Sequence, residues 1–264
     1  SRGHVWPNLY VNTSSGIESL ADIKGKRIGV PDYDMTAALW FRATLKDLYG
    51  IEASDNTWYN GRTIEFSHGG ALGLDDSGPR GVEHHWLTAD QTLDVMLDKG
   101  EIDVYTAFRA GGPVTTGNTT VIDRYGGTPT AGNPNIRKLL PDDGKALVYE
   151  YHQKTGFFHC NHHVIVQNRI LREHPWAALE LFTALQRSKE VAYERARQAQ
   201  SAYMYFPGQD FHEQDQALGG EPYPIGIRAM GKNVERAIQG SLEQGLITKP
   251  IALKDLYFHT TLNT

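Results

Sequence analysis

Two arginines and a set of histidines are the residues of this chain whose types and spacing could do chemistry. Arg42 stands shortly after Pro31, and Arg109 precedes Gly111-Gly112-Pro113. A guanidinium holds a carboxylate through two parallel N–H groups, so either arginine suits an organic acid. Histidine titrates near neutrality and can give or take a proton under ordinary conditions. The eleven histidines include the pairs His84-His85 and His162-His163, together with His159. On a regular strand, 159 and 163 share one face and 162 lies on the other, so these three cannot all converge. A divalent metal, if held, would draw on His84 or His85 with His162, and on Glu83 or Asp103 as a carboxylate ligand. None of these spacings is diagnostic, so no cofactor is expected and a metal stays a secondary reading.

The elements that must position these residues follow from periodicity. Arg27 to Pro31 follows a Lys-Gly-Lys turn and reads as a short buried strand. From Asp34 to Tyr49, Ala38, Phe41, Leu45 and Leu48 recur at helical spacing, with Asp34 as the N-cap. Arg42 then lies one turn beyond Thr36 and Ala38. The helix start leaves the backbone N–H groups of Met35 and Thr36 free for an anion, and with Arg42 they would form a carboxylate clamp. The plainer reading makes Arg42 a solvated helix residue. Tyr33 and Trp40 would stack on an aromatic ring or serve in a core. Thr88 to Gln91 has the form of a capping box, Leu93, Met96 and Leu97 give an apolar stripe, and Gly100 stops that helix before a strand at Ile102 to Tyr105. Arg109 thus falls at a strand's carboxyl end, where α/β proteins bind ligands; otherwise it pairs with Asp103 at the surface.

Residues 60–82 and 110–134 are glycine-rich and aperiodic, and read as long loops. Asp75, Asp76 and Glu83 are solvated there, or one is a general base. Phe157 to Gln167, with Val164-Ile165-Val166, reads as a further buried strand. A long amphipathic helix then carries Trp176, Leu179, Phe182 and Leu185 on one face, with His174 as a structural cap at its start. Another helix runs from about Asn233 to Gln244, closed by Gly245.

Alternating strands and helices predict an α/β protein with a mostly parallel sheet. Leu9 to Asn12 reads as a strand entering the first compact α/β unit, and Ala146 to Thr155 as the return crossing. Residues 13–150 would form one lobe, and 1–12 with 155–264 most of the other, with the ligand cleft between lobes. The charge balance of 26 basic and 31 acidic residues, without long runs of one sign, gives no nucleic-acid or membrane arm. Cys160 is the only cysteine, so no internal disulfide or CxxC metal knuckle exists. No apolar run approaches the roughly 20 residues of a bilayer span.

Leu20-Ala-Asp-Ile-Lys-Gly-Lys-Arg-Ile-Gly-Val-Pro31 resembles the stretch with which type II solute-binding proteins enter their second lobe. Pro31-Asp-Tyr-Asp-Met-Thr-Ala-Ala-Leu-Trp40 followed by Arg42 is similar to the 4,5-dihydroxyphthalate decarboxylase family. So are Gly100-Glu-Ile-Asp103 with Ala107-Phe-Arg109-Ala, Thr155-Gly156 leading to His162, Glu173-His-Pro-Trp176, Tyr223-Pro224 with Gly226, and Asn233 to Leu246. The series runs in order over nearly the whole chain. It departs in its loop at 66–86 and in His159-Cys-Asn-His-His163, and the family's N-terminal βαβ portion of the first lobe is expected ahead of Ser1.

The resemblance implies the two-lobed type II fold and a cofactor-independent lyase that decarboxylates an aromatic acid such as 4,5-dihydroxyphthalate. Removing CO₂ from a hydroxylated ring requires a base for the phenol, an acid for the ring carbon and cations that orient the carboxylates. It assigns Arg42 and Arg109, with Tyr33, Met35 and Thr36, to the substrate and His162 to the proton. The alternative on the same fold is a solute-binding protein for a small organic acid, serving an ABC-type transporter. The enzyme reading implies a cytoplasmic protein and the alternative a periplasmic one; a homo-oligomer is compatible with either.

Overall fold

The computed structural model describes residues 5–73, 77–106 and 126–264. The chain divides into two compact units. The first comprises residues 1–148, 159–161 and 237–250, and the second 149–158, 162–236 and 251–264.

The first unit is built on a six-stranded sheet. Its strands are β1 (Leu9–Asn12), β2 (Arg27–Val30), β3 (Thr57–Asn60), β4 (Glu83–Trp86), β5 (Val104–Thr106) and β6 (Ile136–Lys138). The order is β4-β3-β2-β5-β1-β6. The first four are mutually parallel, while β1 runs antiparallel to both β5 and β6. The strand expected to enter from the other lobe is therefore an interior member of this sheet, because all four residues of β1 are buried and it pairs along both edges.

Helices cover both faces. On one, α1 (Thr36–Tyr49) lays Ala37, Ala38, Phe41 and Leu45 into a core with Ile28, Val30, Trp58 and Val104. Burying a side chain the size of Phe41 contributes about 2 kcal/mol. On the other, α3 (Leu93–Asp98) packs Leu93, Met96 and Leu97 with Tyr10, Ile102 and Ile136. It lies so close that a Cβ on Gly29 would stand 2.7 Å from both Leu93 Cδ2 and Ile102 Cδ1. Between these helices, α2 (His68–Ala71) is a single turn within the glycine-rich loop.

Two expected helix starts shift. The N-cap of α1 is Met35, not Asp34, and it makes no side-chain capping bond; the Asp34 N–H is instead held by Asp32 Oδ1 at 3.2 Å. Thr88 donates its N–H to Gln91 Oε1 at 3.0 Å in a turn, and α3 begins later, after Thr92.

The described residues of the second unit contain helix and loop but no strand. It holds the end of α4 (Lys145–Thr155), α5 (Asn168–Glu173), α6 (Ala177–Tyr203), α7 (Pro207–Leu218), the first part of α8 (Ile227–Glu243) and α9 (Leu253–Leu256). The strand expected at Val164-Ile165-Val166 does not form. Its backbone groups have no neighbouring strand in the described part of the unit, and Ile165 is 91% exposed. The expected return crossing is α4, a helix, and α8 starts at Ile227, earlier than the apolar pattern suggested. Trp176, Leu179 and Leu185 of the expected apolar stripe stay exposed. Among the described residues no helix is long and apolar enough to cross a membrane.

Candidate functional site

The chain leaves β2 towards β3 on one flank, while β5 lies against the other flank of β2. In an open α/β sheet ligands gather at such a reversal, beyond the carboxyl ends of the strands. Here the connections after β2 and β3 are zipped together. The Gly61 N–H donates to the Val30 carbonyl and the Arg62 N–H to that of Pro31, at 2.9 and 2.8 Å. Asn60, fully buried at the end of β3, accepts the Tyr33 N–H on Oδ1 at 2.6 Å and donates from Nδ2 to the Arg62 carbonyl at 2.9 Å.

This clamp sets Asp32 beside His68. Asp32 is wholly buried, and its Oδ2 accepts from the His68 backbone N–H at 2.7 Å and meets His68 Nδ1 at 2.6 Å. Arg62 Nη1 lies 3.8 Å from the same oxygen. Burial pushes the Asp32 carboxyl upward, but the His68 ring and backbone bonds outweigh it, and the group sits below the usual carboxylate range. With Nδ1 engaged by a carboxylate, that nitrogen carries a hydrogen and Nε2 is the ring nitrogen left for a ligand. His68 itself stays 53% exposed. Asp34, two residues on, goes the other way: burial and then the neighbouring Asp32 charge raise its carboxyl, against the pull of Arg42, His68 and the Gly69 N–H.

Below this pair lies a stack of rings and one cation. Arg42, 1% exposed, points from α1 towards the sheet, with its guanidinium carbon 3.6 Å from the Tyr33 ring centre and 5.3 Å from that of Trp58. Nε donates to Gln244 Oε1 at 2.7 Å and Nη2 to the Tyr33 carbonyl at 2.8 Å. Nη1 is buried without a hydrogen-bond partner among the described residues. Burial lowers the Arg42 pKa, while Tyr33, Asp34 and Asp32 act to raise it. Burial likewise raises the Tyr33 hydroxyl. His84 on β4 meets Tyr33 edge-on at 5.6 Å, and burial, with His85 and Arg42 adding, takes its pKa down to about 4.

The structure thus joins Tyr33 and Arg42. Met35 is buried at the helix start, while Thr36 is exposed. Trp40 is a core residue whose Nε1 donates to the Cys160 carbonyl at 2.9 Å. Arg109, Asp75 and Asp76 lie outside the described residues. Asp103, the alternative partner for Arg109, is bound by Arg27 through Nε at 3.0 Å and Nη2 at 2.8 Å. His84 and His85 occupy opposite faces of β4, one against Tyr33 and the other against Tyr59. Glu83 bonds His85 Nε2 at 3.1 Å. His159 is buried, with Nε2 3.0 Å from Thr44 Oγ1, and His162 is an exposed residue of the second unit. His174 closes α5 and accepts the first N–H of α6 on its carbonyl. Among the described residues no three or more His, Cys, Asp or Glu gather as metal ligands.

Sequence reasoning missed Asp32, His68, Asn60 and Gln244. The signal for Asp32 and His68 was Asp32-Tyr33-Asp34 at the end of a parallel strand, followed by a loop rich in glycine yet containing a histidine.

No family profile matches the chain. It is similar to the 4,5-dihydroxyphthalate decarboxylase of Comamonas testosteroni, 27% identical over 266 residues that cover 100% of this chain and 75% of the relative. It is also similar to the 4,5-dihydroxyphthalate decarboxylase of Pseudomonas putida, 39% identical over 125 residues, 47% of this chain and 48% of the relative. The resemblance carried by the motifs is borne out.

Proposed function

We propose that this chain, a relative of the 4,5-dihydroxyphthalate decarboxylases, is a carboxy-lyase that removes one carboxyl group from a dihydroxylated aromatic dicarboxylate such as 4,5-dihydroxyphthalate. The observation that carries this reading is the extent of the similarity, which covers the whole chain and not one motif. The α/β sheet and the division into two units support the type II solute-binding architecture within the same reading.

The chemistry asks for cations at the carboxylates and for groups that exchange protons with the ring hydroxyl and a ring carbon. Arg42, with Nη1 unpartnered among the described residues, supports the first requirement. Arg109 is its companion by resemblance, and Tyr33, Met35 and Thr36 complete the substrate-binding assignment. His162 carries a proton in the same assignment. A cytoplasmic location belongs to this reading.

The test is incubation of the purified protein with 4,5-dihydroxyphthalate, with and without EDTA, following CO₂ and aromatic product. Equal amounts of CO₂ and 3,4-dihydroxybenzoate, insensitive to EDTA and lost in His162→Ala, are expected. Tight binding of the acid without CO₂ would replace the lyase by a solute-binding protein.

A further inference from the structure

The resemblance supplies one proton-moving group, yet removing CO₂ from a hydroxylated ring needs two: a base for the hydroxyl and an acid for the ring carbon. We propose that Asp32 and His68 form the base, His68 Nε2 exchanging the proton of the ring hydroxyl para to the departing carboxylate while Asp32 holds the imidazole. This rests on the lyase reading above.

Three independent observations converge on the pair. A wholly buried carboxylate grips His68 at two points, the Nδ1 at 2.6 Å and the backbone N–H at 2.7 Å, so both the tautomer and the direction of the ring are set. The ring is half exposed and so open to a ligand. Its place, beyond the carboxyl end of β2 where the chain order reverses, is where an open α/β sheet receives ligands. In the same unit two wholly buried polar atoms, Arg42 Nη1 and Thr106 Oγ1 at the end of β5, have no partner among the described residues.

The step balances as follows. His68 Nε2 takes the hydroxyl proton, and the oxygen's electron pair moves through the ring to the carbon bearing the carboxylate. That carbon takes a proton from the general acid, the one proton-moving group the resemblance supplies. The bond to the carboxylate then breaks, its electron pair restores the aromatic ring, and CO₂ leaves. The hydroxyl oxygen recovers its proton from His68, and the general acid is reprotonated by water. One proton is consumed for each CO₂ released. The charged or titratable groups around His68 are Asp32 and Asp34 from the β2–α1 connection, with Arg62 from the loop after β3 3.8 Å from the same Asp32 oxygen.

The test compares the intact protein with His68→Ala and Asp32→Asn on 4,5-dihydroxyphthalate. In His68→Ala, kcat should fall about 100-fold or more with KM changed little, the usual scale for losing a general base. Added imidazole should restore part of it, which a merely structural histidine would not allow. Asp32→Asn should lower kcat and shift the acidic limb of the pH profile. A His68→Ala variant that keeps kcat within about threefold, or one whose loss imidazole never relieves, overturns the base assignment while leaving the lyase intact. Absence of CO₂ from the unaltered protein overturns the lyase reading first, and the dyad's catalytic role with it.

Discussion

The guanidinium carbon of Arg42 lies 3.6 Å above the centre of the Tyr33 ring, and this contact makes the cation part of the interior of the first unit. A planar guanidinium can stack on the ring and still donate in its own plane, to Gln244 Oε1 and to the Tyr33 carbonyl. A lysine ammonium has no plane with which to do both at once.

That arrangement predicts strong coupling between Arg42 and Gln244. Arg42→Met and Gln244→Leu should each cost about 2–4 kcal/mol in urea denaturation, because each leaves the other's polar group buried and unpaired. The double variant should lose at least 1 kcal/mol less than the two costs added together. Strict additivity would show that the bond contributes nothing.

Asp34 predicts a gain in stability once its charge is removed. Its carboxyl is raised in the fold, so the protonated form is favoured and the native state weakens as pH rises through the raised pKa. Asp34→Asn should therefore have the higher Tm at pH 7, with the advantage fading below about pH 4, the ordinary range of the unfolded group. A lower Tm at pH 7 would contradict the burial argument.

His84 predicts acid sensitivity. Its pKa drops from 6.5 to about 4 in the fold, so the unfolded chain binds the proton first as pH falls through that window. The native state should lose up to about 3 kcal/mol between pH 6.5 and 4 from this group. His84→Phe keeps an aromatic edge for Tyr33 and removes the titration. Its stability should change less with pH over that window, which thermal melts at half-unit steps would resolve.

Gly70 predicts how tightly the His68 turn is held. A Cβ there would come within 1.8 Å of the Ile64 carbonyl oxygen, a backbone atom that cannot rotate aside. Gly70→Ala should displace α2, shift the His68 ring resonances in NMR and lower Tm by several degrees. Unchanged His68 resonances would mean that the turn relaxes without moving the ring.

What could be read from the sequence followed the range of each signal. β2, α1 and the α3-to-β5 unit are local, their apolar residues recur at one period, and they formed close to where the spacing put them. Val164 to Val166 has strand composition, but a strand also needs a neighbour, and composition carries no information about one. The Asp32–His68 contact joins residues 36 positions apart through a loop without periodicity. Gln244 reaches Arg42 across 202 positions, and no spacing rule extends that far.

The bond to Gln244 also bears on the order in which the chain is made and folded. During synthesis the sheet strands, α1 and Arg42 leave the ribosome long before Gln244 does, so the guanidinium must wait, hydrated, while some two hundred residues are added. The Tyr33 hydroxyl waits for the Gln244 carbonyl as well. Closing so long a loop is slow and its contacts form late. The first unit is consequently not a segment that can be excised near residue 150 and expected to stand: one of the two hydrogen bonds of its buried cation goes to a strip of chain that arrives last.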